Sequence, residues 1–249
     1  MTDDTLKRIT FTQKPGAQIS LDTTFRDENG NAIKLADCFH KKPVILVMGY
    51  YGCPMLCTFV LNGLIGSLQN LDLKIGDEFD VVDVSIDPGE TPALAAAKKK
   101  SYLRRYGRPD AAASWHFLTG DEPAIRKLAG EVGFNYAYDA RIHQYAHPSG
   151  LVILTPDGKV SHYLSGVIYS PERLKNALAD ASVKKIGSPV RDLFLLCFHY
   201  SPITGKYGAL IMGTVRVCGV AVLAALAISI VMMIRRENKT AKAAGDKTV

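Results

Sequence analysis

The stretch Val44-Ile45-Leu46-Val47-Met48-Gly49-Tyr50-Tyr51-Gly52-Cys53-Pro54-Met55-Leu56-Cys57 constrains this chain more than any other part of it. An apolar, β-branched run bounded by Pro43 and Gly49 predicts a buried strand, and the turn-free apolar residues 55–71 predict the helix after it. Cys53 and Cys57 therefore lie at a strand-to-helix junction, where unpaired backbone N–H groups favour thiolate over thiol. At a spacing of four they project from one face of the first helical turn, and two soft thiolates on one face suit a soft metal ion. The spacing also leaves reversible oxidation open. A redox dithiol usually has two intervening residues, whereas three place the Cα atoms about 6 Å apart, still within reach of a disulfide. Ordinary buried cysteines are the blander reading. Against it, a Tyr-Tyr-Gly turn that looks exposed and a proline directly after Cys53 make a poor core signature.

A second element adds an imidazole. Residues 150–160 read as a strand, a Pro156-Asp157-Gly158 turn and a returning strand, and His147 sits in the loop feeding them. Two cysteines and a histidine make a three-coordinate set that Cu(I) accepts, whereas zinc would want a fourth ligand. Five other histidines, His40, His116, His143, His162 and His199, are present. The pattern alone favours His147 over His143 only narrowly, because a lone histidine is ordinarily a surface or hydrogen-bonded residue.

The remaining periodicities predict an α/β sandwich around a mixed sheet. Residues 18–35 alternate around Asp27-Glu28-Asn29-Gly30 as an N-terminal hairpin, residues 79–86 form a second core strand, and Thr91-Pro92 opens a helix to about Tyr106. Residues 115–118 read as a short strand, 121–132 as a helix and 171–181 as the last helix. The longest irregular stretch is 135–149, which delivers His147. Lys98, Lys99, Lys100, Arg104, Arg105 and Arg108 form a basic run with Lys100, Arg104 and Arg108 on one helical line. A solvated face is its simplest role and an acidic partner the second; nucleic acid is not implied. Asp87 follows a strand end, where helix capping or turn formation is the simpler role and an influence on the site the sharper one.

In this order and at these intervals, the strand with Cys53-Pro54-x-x-Cys57, then Val84-Ser85-Ile86-Asp87-Pro88-Gly89-Glu90-Thr91-Pro92, then Phe117-Leu118-Thr119-Gly120, then His147 nine residues before Pro156-Asp157-Gly158 resemble the Sco/SenC family. The resemblance spans about Pro15 to Ala181. It implies a membrane-anchored copper-binding protein of thioredoxin-like fold that serves cytochrome c oxidase assembly. Carried over by position, its metal ligands are Cys53, Cys57 and His147, with copper held as Cu(I) and, in a second form, as Cu(II). Two positions depart from the family pattern: Thr58 stands where a proline often follows the second cysteine, and Ala146 where an aspartate often precedes the histidine. The region 187–208, with Thr204-Gly205-Lys206-Tyr207-Gly208, resembles a subgroup anchored at its C-terminus.

The 249 residues exceed one such domain, and the surplus is C-terminal. Residues 217–234 carry no charge, and the apolar stretch reaches back to Gly208 with Arg216 as its one ionised residue, enough to span a bilayer. The division expected is an extension over 1–14, the copper-binding domain over 15–185, a juxtamembrane linker over 186–207, a transmembrane helix over 208–234 and a basic tail over 235–249. Arg235, Arg236, Lys239, Lys242 and Lys247 place that tail in the cytoplasm and the domain on the extracytoplasmic, periplasmic-like side. An outward domain needs an export signal, yet residues 1–8 are partly acidic and contain no apolar run. A wrongly placed start or a removed signal is the expectation, with a cytoplasmic, tail-anchored copper site as the alternative. Of the other cysteines, Cys38 and Cys218 read as packing; Cys197, beside His199, reads as buried, with an accessory metal site as its sharper alternative.

The function expected is a copper chaperone that holds Cu(I) on Cys53, Cys57 and His147 and passes it, by ligand exchange, to the copper A centre in subunit II of cytochrome c oxidase. The alternative is an enzyme, a thiol-disulfide oxidoreductase acting through the redox pair Cys53 and Cys57 on that or another exported acceptor, with His147 dispensable.

Overall fold

The computed structural model describes residues 9–53, 56–187, 216, 219 and 220, leaving out the side chains of Leu56 and Cys57. In chain order the elements are β1 (Thr24–Arg26), β2 (Ala32–Lys34), a 3-10 turn (Leu35–Cys38), β3 (Val44–Gly49), α1 (Leu56–Leu68), β4 (Asp80–Ser85) and α2 (Pro92–Tyr106). A second 3-10 turn (Pro109–Ala113) leads to β5 (Trp115–Leu118), α3 (Glu122–Glu131), β6 (Ala137–Asp139), β7 (Gln144–Ala146), β8 (Gly150–Leu154), β9 (Val160–Ser165) and α4 (Pro171–Ser182).

The central sheet runs β5-β4-β3-β8-β9. Strands β3, β4 and β5 are mutually parallel, with α1 and α2 as crossovers, while β8 is antiparallel to both β3 and β9. Side-chain alternation splits the core into two layers. Ile45, Val47, Val81, Trp115, Phe117, Leu151 and Ile153 face α1, α2 and α4. Leu46, Met48, Val82, Val84, Val152 and Leu154 face α3 and the N-terminal segment that carries Ile19, Phe25 and Leu35. At about 1.5–3 kcal/mol for each large apolar side chain buried, this two-sided core is what holds the sheet between its helical layers.

Local signals set the helix ends. Thr91, Asp121 and Ser170 each accept a hydrogen bond from the backbone N–H three residues on, and each is followed by a proline in the first turn. Gly107, at φ 78°, stops α2 in the left-handed conformation a glycine adopts without strain. Arg108 is thereby thrown off the helix, and its guanidinium lies 5.6 Å from the Tyr106 ring centroid. The predicted line of Lys100, Arg104 and Arg108 is therefore broken: Lys100 and Arg104 are exposed on the helix, whereas Lys99 turns back to pair with Glu28.

Another expectation changes. The stretch 135–149 is not irregular, because β6 and β7 pair antiparallel, with Tyr138 opposite Tyr145. Its strands are short and lack a clean apolar/polar alternation, so the pattern was invisible to a period-2 reading. The N-terminal hairpin forms as expected around Asp27, whose carboxylate accepts from Asn29 and Asn31 N–H at 2.9 and 2.8 Å. The chain divides into two units, 1–191 and 192–249; in the second, the three described residues, Arg216, Gly219 and Val220, are helical. The proposed span 208–234, the basic tail, Cys197, His199 and Cys218 otherwise lie outside the described residues, among which no helix is long and apolar enough to cross a membrane.

Candidate metal centre

Strand β3 ends at Gly49, and the chain turns through Tyr50–Cys53, closed by the Cys53 N–H donating to the Tyr50 carbonyl at 3.2 Å. This turn is buried, which corrects the exposed turn expected from its composition: Tyr50, Tyr51 and Cys53 are 7%, 4% and 9% exposed, and only Gly52 faces solvent. The physical reason is the Tyr51 phenol, which donates to the carbonyls of Asp83 and Leu118 at 3.0 and 2.9 Å and so ties the turn across β4 and β5. Cys57 is the second residue of α1. Cys53 lies in the turn before α1, so the two cysteines flank the strand-to-helix junction and do not share the first helical turn that their spacing predicts.

Glu90 was not singled out from the sequence, yet it organises the turn. Its carboxylate accepts from the Tyr51 N–H at 2.7 Å, from the Gly52 N–H and from the Ser85 hydroxyl at 2.5 Å. It is aimed there by the preceding bend, in which Asp87 accepts from the Gly89 N–H at 2.9 Å through its side chain and from the Glu90 N–H at 3.1 Å through its carbonyl. Asp87 is therefore a turn former. The available signal for Glu90 was its place between a strand end and the capping Thr91, which marks a rigid loop without saying what the carboxylate meets.

His147 follows β7 and is 7% exposed. Its Nδ1 lies 2.9 Å from the Pro148 carbonyl, which can only accept, so Nδ1 is the donor of that hydrogen bond and the ring orientation is fixed. The ring stacks on Phe134 at 5.7 Å and meets the Tyr50 ring edge-on at 6.0 Å. Tyr50 thus touches both expected ligand segments: it closes the Cys53 turn and packs on His147. His143 goes elsewhere, to the β6–β7 turn at φ 50°, where its Nδ1 meets the Tyr138 hydroxyl at 3.1 Å.

Behind the turn, Tyr50, Tyr51, Thr58, Asp83, Lys98 and His147 share a cavity of about 10 Å³, no more than one water needs. It joins the first turn of α1 to the loop of His147. Asp83 is 2% exposed, and no donor reaches its Oδ2 among the described residues. Burial, reinforced by the Glu90 charge and opposed by Lys98, holds its carboxyl well above the usual carboxylate range. Cys38 is fully buried, and burial with the charges of Asp37, Glu28 and Asp80 pushes its thiol up to about 12, so it packs rather than reacts. Among the described residues no three His, Cys, Asp or Glu side chains group as a metal site. The described side chains of the expected ligand set are those of Cys53 and His147.

A model of the SCO1/SenC family matches residues 12–182. The chain belongs to the SCO1/SenC family. No curated protein matches it. Among solved structures, a candidate electron transfer protein from Aquifex aeolicus is 23% identical with a TM-score of 0.59, covering 69% of this chain and 96% of that one. The ScoI of Arabidopsis thaliana, solved with copper bound, is 16% identical with a TM-score of 0.52 over 68% of this chain and 98% of its own. BsSco, described as a Sco family cytochrome c oxidase assembly protein with a disulfide switch, is 20% identical with a TM-score of 0.54 over 70% and 98%. These likenesses establish the mixed α/β, thioredoxin-like fold of the SCO1/SenC chain. The family match ends five residues before the described domain does, at Gly187.

Proposed function

We propose that this SCO1/SenC chain is a membrane-anchored copper chaperone that binds Cu(I) through Cys53, Cys57 and His147. The observation that carries the reading is the shared neighbour Tyr50, which closes the Cys53 turn and packs against the His147 ring in a chain of this family. The donor set fits the cargo: two thiolates supply softness, and an imidazole held in place through its Nδ1 completes the set. Transfer runs by ligand exchange onto thiolates of an acceptor, the copper A centre of cytochrome c oxidase subunit II, with no bond-making catalysis. Occupancy depends on both cysteines being reduced, since a disulfide offers no thiolate. The apolar run 208–234 and the basic residues after it support a C-terminal anchor with the domain on the extracytoplasmic side.

The second reading, a thiol-disulfide oxidoreductase, is favoured by the disulfide switch described for BsSco, and it needs the cysteines only. Anaerobic Cu(I) titration of the reduced protein against a competing chelator separates the two. One tight equivalent, lost in Cys53→Ser and in His147→Ala, supports the chaperone. Absence of tight binding, with a Cys53–Cys57 disulfide that is readily reduced and re-formed in His147→Ala, overturns it in favour of the oxidoreductase.

A further inference from the structure

An unbroken series of ring contacts leads from His147 to the surface. His147 meets Tyr50 at 6.0 Å, Tyr50 meets Tyr145 at 5.6 Å, and Tyr145 meets Tyr138 at 5.0 Å. Tyr138 is 51% exposed and hydrogen-bonded to His143 Nδ1. A branch runs from Tyr145 to Tyr136 at 6.0 Å. Packing accounts for Tyr50, which is buried, but a half-exposed tyrosine whose hydroxyl rests on an imidazole contributes little to a core.

We propose that His147, Tyr50, Tyr145 and Tyr138 form a one-electron path that carries oxidising equivalents away from the Cys53/Cys57/His147 centre and deposits them at Tyr138. The inference rests on the copper reading above. Its chemistry is the encounter of copper-loaded protein with hydrogen peroxide, which needs two electrons and two protons to become two waters. The Cu(I) cargo gives one electron and becomes Cu(II). The Tyr138 phenol gives the other and becomes a tyrosyl radical, its proton passing to His143 Nδ1, while solvent supplies the protons taken up by peroxide. Without the path, the second equivalent is taken from the ligands themselves, by oxidation of the thiolates or of the imidazole.

The terminus is set by environment. A phenol loses an electron far more easily when its proton has somewhere to go, and the Tyr138 hydroxyl has the His143 nitrogen at 3.1 Å. The Arg126 guanidinium lies 5.8 Å from the Tyr136 centroid, and a cation over the face disfavours an electron-poor ring, so the branch is the poorer sink.

The test uses the full chain in detergent, loaded with Cu(I) to a measured stoichiometry and mixed with hydrogen peroxide. Tyrosyl radical is read by rapid-freeze electron paramagnetic resonance, and oxidation of Cys53, Cys57 and His147 by peptide mass. Tyr138→Phe is expected to lose most of the radical signal and to raise ligand oxidation several-fold. Tyr145→Phe, which keeps the ring but breaks the relay, should do the same although Tyr138 is intact, with copper stoichiometry unchanged in both. Copper bound as in the parent, with radical yield and ligand oxidation unaltered in both variants, would overturn the path alone. Failure to bind copper would overturn the path and the chaperone reading together.

Discussion

Glu90 gives the sharpest quantitative expectation. Replacing it with alanine removes three hydrogen bonds from one ionised acceptor, and their surroundings decide what each is worth. The Tyr51 N–H belongs to a residue 4% exposed, so losing a charge-assisted partner there costs about 2 kcal/mol. Gly52 is exposed, and water replaces Glu90 at its N–H for about 0.5 kcal/mol at most. The Ser85 hydroxyl, on a fully buried residue, keeps only a long 3.4 Å contact to the Asp87 carbonyl, a loss of about 1 kcal/mol. Glu90→Ala should therefore destabilise the domain by about 3 kcal/mol, a large share of the 5–15 kcal/mol available to a typical domain. Glu90→Gln retains one acceptor oxygen and should lose roughly half as much.

Trp115 makes the assay direct, because it is the only tryptophan in the chain and is fully buried in the α1/α2/α4 layer. Urea unfolding followed by its fluorescence reports this domain alone. The turn also positions Cys53, so Cu(I) affinity should fall in the same order, Ala more than Gln. A Glu90→Ala protein whose stability stays within about 0.5 kcal/mol of the parent, the ordinary range for a surface change, would refute the claim that this carboxylate holds the turn.

Three further outcomes are expected. Gly63→Ala would place a Cβ 1.9 Å from the Val167 carbonyl oxygen, so α1 must move off the β9–α4 connection at a cost of about 1–3 kcal/mol; an unchanged unfolding midpoint would contradict this contact. His116 has its imidazole pKa lowered, first by burial and then by Lys99, so the stability it contributes is present above its unfolded value near 6.5 and is lost as pH falls below it. His116→Gln should accordingly flatten the unfolding free energy over that acid window. Asp83 behaves with the opposite sign: its raised carboxyl pKa means that its contribution is complete below the unfolded value of 3.8 and is lost as pH rises towards the folded value. Asp83→Asn should then stabilise the protein at neutral pH, with the gain vanishing below about pH 4, and stability profiles of the two proteins against pH check it.

What the sequence made legible, here and in general, is what is decided within a few residues. The caps Thr91, Asp121 and Ser170, each with its proline, and the stop at Gly107 are local bargains between backbone and side chain, and α2, α3 and α4 begin where those residues predict. The junction of Cys53 with α1 and the position of His147 ahead of β8 were equally readable, because period and turn chemistry place them. The burial of Tyr50 and Tyr51 was not. It depends on carbonyls in β4 and β5 that lie 32 and 67 residues away along the chain, and a hydrogen bond over that separation leaves no local trace. Glu90 was hidden for the same reason, since its partners Tyr51 and Gly52 precede it by 39 and 38 residues.

The hairpin of β6 and β7 shows why this distinction bears on the centre. Its register sets Tyr138 opposite Tyr145, and Tyr145 in turn abuts Tyr50. The loop that presents His147 is therefore anchored by aromatic contacts on both sides: Phe134 beneath the imidazole and Tyr50 at its edge. Cys53 is held by the same Tyr50 and, through Tyr51 and Gly52, by Glu90. Cys53 and His147, ninety-four residues apart in the sequence, are thus referred to one tyrosine, so a change that loosens Tyr50 disturbs both at once, whereas a change at Glu90 reaches the thiol first. Comparing Tyr50→Leu with Glu90→Gln separates these routes. The former should displace His147 as well as the turn, visible as an altered imidazole resonance in both apo and copper-loaded protein, and the latter should leave that resonance in place. An imidazole signal that moves equally in the two variants would mean that Tyr50 is not the shared support.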